Sequence, residues 1–301
     1  MPKLNIRHRT TYRYDEPVKL SAHRLMLRPR ESRELTLLDH EVVISPDAEL
    51  RWSTDVYGNA VATATFMKPT DSLIVESNAT VDLTAADWPV FDIAASAITY
   101  PFLYADHDWT DLGALVACQY TDPDSALETW VRGFVAGNPT DTLSLLKDIS
   151  LGIASAISYQ SREAEGTQEP LDTLARGSGS CRDIAVLFAE AVKTLGFGAR
   201  IVSGYLFNPD QTLVGSLDNG STHAWAEVFL PGAGWITFDP TNRSMGGANL
   251  VPVAVTRDIA HAVPVSGSFT GPSNASLGME VIVKIEEVLS AASAASSAKS
   301  G

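Results

Sequence analysis

Gly177-Ser178-Gly179-Ser180-Cys181-Arg182-Asp183, running into Ile184, Leu187, Phe188, Ala191, Val192 and Leu195 and closed by Gly196, is the stretch that organises the rest of the chain. Four small residues let the backbone turn tightly and let another group approach it closely. The apolar residues that follow recur at helical spacing, so the pattern predicts a helix opening at Cys181 and ending before Gly196. Ser180 stands at the N-cap position and Asp183 three residues on, the arrangement of a capping box. Cys181 therefore falls in the first helical turn. Unpaired backbone N–H groups and the positive end of the helix dipole favour a thiolate there. A small buried core residue is the plain alternative for a lone cysteine.

Further along, Ser221-Thr222-His223-Ala224-Trp225-Ala226-Glu227-Val228-Phe229-Leu230 and Trp235-Ile236-Thr237-Phe238-Asp239 flank the turn Pro231-Gly232-Ala233-Gly234. Two apolar, aromatic-rich runs around a Pro/Gly turn read as a β-hairpin. Such a hairpin brings its two ends together, His223 near the start and Asp239 near the finish. A carboxylate can then orient one imidazole nitrogen while the other faces a thiol. Trp225 and Trp235 are candidate walls of a channel, core packing being the alternative for both. Glu227 shares a strand face with His223 by the period-two rule and is a candidate for holding a cationic substrate group, or else a simple exposed strand residue.

These three motifs resemble the transglutaminase-like superfamily, specifically a bacterial branch described as cysteine proteases. Ile6-Arg-His8-Arg-Thr-Thr-Tyr12-Arg-Tyr14, Pro17-Val18 and Leu27-Arg28-Pro29-Arg30 are similar to that branch's N-terminal β domain. Val253 to Asp258 and Val263 to Gly267 are similar to its tail. The resemblance runs in collinear order from residue 3 to about residue 289. It implies Cys181 as nucleophile, His223 as general base and acid, and Asp239 as the orienting carboxylate. Two positions depart from the pattern: Ser180, where an apolar residue is more usual, and His261, where an acidic one is. The implied reaction is amide hydrolysis or acyl transfer through a thioester on peptide or protein amides. A non-catalytic peptide or glycan binding module and an assembly protein docking through its N-terminal domain are the competing classes.

Composition narrows the field. With 301 residues, 45% of them hydrophobic, the chain can bury one or two cores without disulfide staples. Its two cysteines have unlike settings, which favours reduced thiols and a cytoplasmic location. Cys118, inside Ala114-Leu-Val-Ala-Cys118, reads as helix packing. A formal charge of −14 argues against a nucleic-acid partner, since phosphate binding needs clustered Lys and Arg. No run suits a membrane span and no signal segment opens the chain. The six histidines are scattered without metal-ligand spacing, and nucleotide fingerprints and the Gly-x-Ser-x-Gly elbow are missing, so neither cofactor nor metal is expected. A second copy of the chain is among the partners the sequence allows.

The expected class is α+β, an N-terminal antiparallel β-sandwich followed by a papain/transglutaminase-like core with the nucleophile helix packed on an antiparallel sheet. The expected divisions are a β domain over 1–88, a helical connector over 89–139, a catalytic core over 140–289 and a disordered Ala/Ser tail over 290–301. The polar loop Ser161 to Gly179 is a candidate border of the cleft.

Overall fold

The computed structural model describes residues 2–162, 166–215 and 219–288, and structural statements below concern these. The expected tail lies outside them.

Alternation shapes the N-terminal strands. In β1 (Lys3–Leu20), Leu4, Ile6, His8 and Thr10 are buried while Lys3, Asn5 and Arg7 are exposed. The same period runs through β6 (Thr70–Leu83), whose Leu73, Val75, Ala79, Val81 and Leu83 point inward. β1 pairs with β6, and β6 with β3 (Leu35–Ser45), all antiparallel. A second sheet joins β2 (His23–Leu25), β4 (Ala48–Thr54) and β5 (Ala60–Phe66). Tyr14, Val18, Leu25, Ala62, Phe66, Leu73 and Val75 form one core drawn from both sheets, so this part is a sandwich.

The chain's far end returns to complete it. β16 (Val265–Ser266) adds to β2, while β17 (Phe269–Thr270) and β18 (Ser276–Glu287) add to β1. The sequence reading put 265–287 with the core; their ladder partners lie in the N-terminal sheets. The long β1 strand left an edge that only residues distant in sequence could cover.

Between the two parts, β7 (Thr99–Tyr100) pairs with β8 (Thr140–Asp141), and helices α1 (Asp106–Leu112) and α2 (Ala126–Arg132) follow one another. The core then packs α3 (Thr142–Ala156), α4 (Pro170–Arg176) and α5 (Cys181–Thr194) against an antiparallel sheet. That sheet runs in the order β14 (Ser244–Met245), β13 (Gly234–Asp239), β12 (Gly220–Leu230), β11 (Ala199–Phe207), β15 (Leu250–Thr256). Ile184, Leu187, Phe188 and Val192 of α5 share a core with Ala224, Ala226, Val228 and Leu230, the even positions of β12. The rings of Phe188 and Phe238 lie 5.3 Å apart in it. The fold is α+β, as expected.

Helix α5 is buried almost all round, from Asp183 to Lys193. Its charged residues are therefore paired: Lys193 Nζ lies 2.9 Å from Glu190 Oε1, with both side chains almost wholly buried. Glu190 Oε2 also accepts the Gln119 N–H at 2.7 Å. This fixes the segment carrying Cys118, which is exposed and lies beyond the short 3-10 turn Gly113–Val116 rather than inside a packed helix. Four residues make too short a run to build a helix face, and the adjacent Gly113 ends α1.

Asn59 fastens the two parts together. It is fully buried and its side chain acts as a strand would towards β15: Oδ1 accepts the Val255 N–H at 2.9 Å and Nδ2 donates to the Val255 carbonyl at 2.7 Å. Nδ2 also donates to Asp55 at 2.8 Å, and Arg30 donates to Oδ1 at 2.5 Å. Asn59→Ala leaves several of these groups buried without partners, so it is expected to lower unfolding free energy by about 2–4 kcal/mol in urea titration. A loss below about 0.5 kcal/mol would deny Asn59 this role.

Candidate active site

Two close approaches around the site are possible only with glycine. At Gly179, a Cβ would stand 2.9 Å from Asp183 Cβ, so the turn into α5 can press against the helix's own first turn. Gly204 faces His223 across the β11–β12 ladder, where a Cβ would lie 2.1 Å from the Val251 carbonyl and 2.8 Å from the Trp225 ring.

Asp183 does more than cap. Its Oδ2 accepts both the Ser180 N–H and the Ser180 hydroxyl at 2.8 Å. Its Oδ1 accepts from Arg162 Nη2 at 2.6 Å and from the Gln168 N–H at 2.7 Å. One fully buried carboxylate thus ties Arg162 and Gln168 to the Cys181 helix. The sequence showed Asp183 as a cap only.

His223 and Asp239 meet as the hairpin places them. Their side chains are buried, and Nε2 lies 2.8 Å from Asp239 Oδ2. Asp239 also accepts the Asn242 side-chain amide at 2.8 Å and the Thr241 N–H at 3.1 Å. Asn242 in turn accepts the Val214 N–H at 2.7 Å, which holds the 208–215 stretch over the pair. With Nε2 on Asp239, Nδ1 of His223 is the nitrogen left to meet the Cys181 thiol by hydrogen bond and charge.

Electrostatics follow from this arrangement. Burial pushes the Cys181 thiol up, but the hydrogen bond and charge of His223, with the Ala224 N–H, outweigh it and draw the thiol below its ordinary value. Burial alone would lower His223; Asp239 by charge and hydrogen bond, then Cys181, raise it to about 10. Asp239 is held down against its own burial by His223 and Asn242. These shifts all favour a thiolate and an imidazolium braced by a carboxylate. The imidazolium's stabilising contribution is present below about pH 6.5 and lost as pH rises through about 10. Those of the thiolate and of Asp239 have the opposite sign and fade as pH falls through their lowered values.

Of the expected substrate residues, Trp225 adjoins the pair, and Glu227 and Trp235 are engaged by Arg200. Trp225 is a fully buried platform beneath His223, its ring centroid 6.1 Å away at an interplanar angle of 27°. Glu227 is taken by Arg200, whose Nε lies 2.6 Å from Oε2. The same guanidinium sits 4.1 Å over Trp235, at the opposite end of β13 from Asp239. A period-two face predicted which way Glu227 points but not the Arg200 that the β11 register sets opposite it. His261 is exposed, and its carbonyl accepts from Arg24 of the N-terminal sandwich at 2.8 Å.

A cavity of about 330 Å³ lies near the other end of α5, bordered by Cys118, Tyr120, Glu190 and Lys193. It is remote from the Cys181 end of the helix. Among the described residues there is no cluster of three or more potential metal ligands and no helix long and apolar enough to cross a membrane.

Residues 128–240, which carry all three of these groups, match the transglutaminase-like superfamily, and residues 4–82 match the bacterial transglutaminase-like N-terminal region. The core of the chain, residues 128–240, belongs to the transglutaminase-like superfamily. Its fold is shared with the crystal structure of a "Putative Cysteine Protease" from Cytophaga hutchinsonii, with a TM-score of 0.72 at 22% identity over 96% of this chain and 91% of that one. Similar sequences of this superfamily member's length include an uncharacterized protein of Mycobacterium leprae, 24% identical over 95% of this chain and 99% of its own. Another from Mycobacterium tuberculosis is 27% identical over 93% of this chain and 92% of its own.

Proposed function

We propose that this transglutaminase-like protein is a thiol-dependent amide hydrolase or acyl transferase acting on peptide or protein amides through Cys181, His223 and Asp239. The observation that carries the reading is one imidazole held between a carboxylate and a thiol whose pKa it lowers. Cys181 Sγ attacks the amide carbonyl, and the carbonyl electron pair moves onto oxygen. When the C–N bond breaks, the imidazolium gives its proton to the departing amine and a thioester remains. Neutral His223 then takes a proton from water or from a second amine, which attacks the thioester and returns the thiolate. Asp239 keeps its charge throughout and supports the imidazolium. We further propose a cytoplasmic location, where two unpaired cysteines stay reduced.

The test compares the unsubstituted chain with Cys181→Ala in cell lysate supplied with a biotinylated primary amine. Mass spectrometry is expected to find newly cut peptide termini or amine adducts on carboxamide side chains with the unsubstituted chain alone. Identical profiles for the two would remove the proposal.

A further inference from the structure

A thiolate attack creates an oxyanion that needs donors already in place. The Cys181 backbone N–H, in the first turn of α5, supplies one. Tyr159 is positioned to supply another. It lies in β9 (Ser158–Tyr159), which pairs in parallel with β10 (Ser178–Gly179), setting Tyr159 opposite Gly179, two residues before Cys181. The Ser158 N–H donates to the Gly177 carbonyl at 2.8 Å and the Gln160 N–H to that of Gly179 at 2.9 Å. These two bonds fix the tyrosine backbone to the turn that presents the sulfur.

The ring packs, partly buried, against the same core as Cys181. Its hydroxyl reaches the catalytic side of the loop above. The point where a Cβ on Gly215 would stand is 3.4 Å from Tyr159 Oη and 3.8 Å from His223 Nδ1, so both atoms converge on one small space beneath that loop. Burial, and then the nearby sulfur's charge, raise the phenol's pKa against a hydrogen bond with the Ser161 side chain that lowers it, so the hydroxyl stays protonated.

We propose that the Tyr159 hydroxyl is the second oxyanion donor of this site, acting with the Cys181 N–H. The inference rests on the acyl-enzyme reading above. As the C–S bond forms, the carbonyl π pair moves to oxygen, which accepts hydrogen bonds from Tyr159 and Cys181 without proton transfer. The pair returns as the leaving group departs, re-forming the carbonyl.

Two reagents separate this role from an effect on the sulfur. p-Nitrophenyl acetate acetylates a thiolate through an oxyanion, whereas iodoacetamide alkylates it by displacement at carbon and forms none. In Tyr159→Phe, acetylation of Cys181, followed by intact mass and peptide mapping, is expected to fall about 100-fold. Alkylation of Cys181 in the same variant should stay within about twofold of the unsubstituted rate, which also shows that the site is still folded. Equal acetylation in the two proteins would overturn the assignment. So would a parallel fall in both reactions, because Tyr159 would then act through the thiol. If the unsubstituted chain is not acetylated at Cys181 at all, the acyl-enzyme reading fails first and takes this inference with it.

Discussion

Replacing His223 by Ala is expected to lower the rate at which iodoacetamide labels Cys181 at pH 6.5 by about tenfold to a hundredfold. An ordinary thiol near pKa 8.5 is only about 1% thiolate at that pH. In this site His223 provides the hydrogen bond and positive charge that overcome burial of the sulfur. With the imidazole gone, burial and the Asp239 carboxylate both act to raise the thiol. The lowered-pKa thiolate is somewhat less nucleophilic per anion, which trims the ratio and explains the range. Above about pH 9.5 the two proteins should label at similar rates, since the thiolate then forms with or without help. A His223→Ala rate within twofold of the unsubstituted one at pH 6.5 would mean that the imidazole does not hold the proton of this pair.

The second large effect is expected at Asp239→Asn, a near-isosteric change that removes charge and keeps volume. Asp239 is the leading influence raising His223 to about 10 against burial. Without it burial prevails, and the ring should titrate below neutrality, observable as a shift of its imidazole proton resonances. The Asn amide can also donate to Nε2, leaving the proton on Nδ1, the nitrogen that must take it from the attacking water or amine. Turnover of p-nitrophenyl acetate through Cys181 should fall by about 10³-fold to 10⁴-fold. Loss of less than about threefold would show that the carboxylate only shapes the hairpin. The Thr241 N–H keeps its acceptor in the remaining amide oxygen while the Asn242 side-chain amide loses its own, so an unchanged circular dichroism spectrum is required beside the activity reading.

Much of this site is written locally, and that part was legible. The small-residue run, the cap and the helical period before and after Cys181 are all within one helix length. The Pro/Gly turn brings the strand holding His223 beside the one ending at Asp239, because a hairpin's register is set by its own turn. What escaped is decided by partners far along the chain. Glu227 is satisfied by Arg200 only because β11 pairs with β12 in one register. Trp225 is a floor under the imidazole because Val202 and Leu206 of β11 and Leu250 and Val255 of β15 pack with it, with Tyr57 of the N-terminal part against them. Tyr159 and Asn242 carried no motif, being placed by a two-residue parallel pairing and by a loop contact. Strand β18 looked like part of the catalytic sheet since its apolar residues say that it pairs, not with which edge. Cys118 reads as core by residue type, yet it ends in an exposed segment held by backbone bonds to a buried glutamate.

The two cysteines also provide an internal reference. Burial pushes the Cys118 thiol up and nearby Glu190 adds to the rise, whereas Cys181 is drawn down. Labelling the unsubstituted, reduced chain with iodoacetamide from pH 5 to pH 10, and following both cysteines by peptide mass spectrometry, reads the protonation of each sulfur in one sample. A thiolate–imidazolium pair predicts Cys181 labelling that is already near its plateau at neutral pH, while Cys118 gains rate only above about pH 8.5. Cys181 following the same alkaline curve as Cys118 would contradict it.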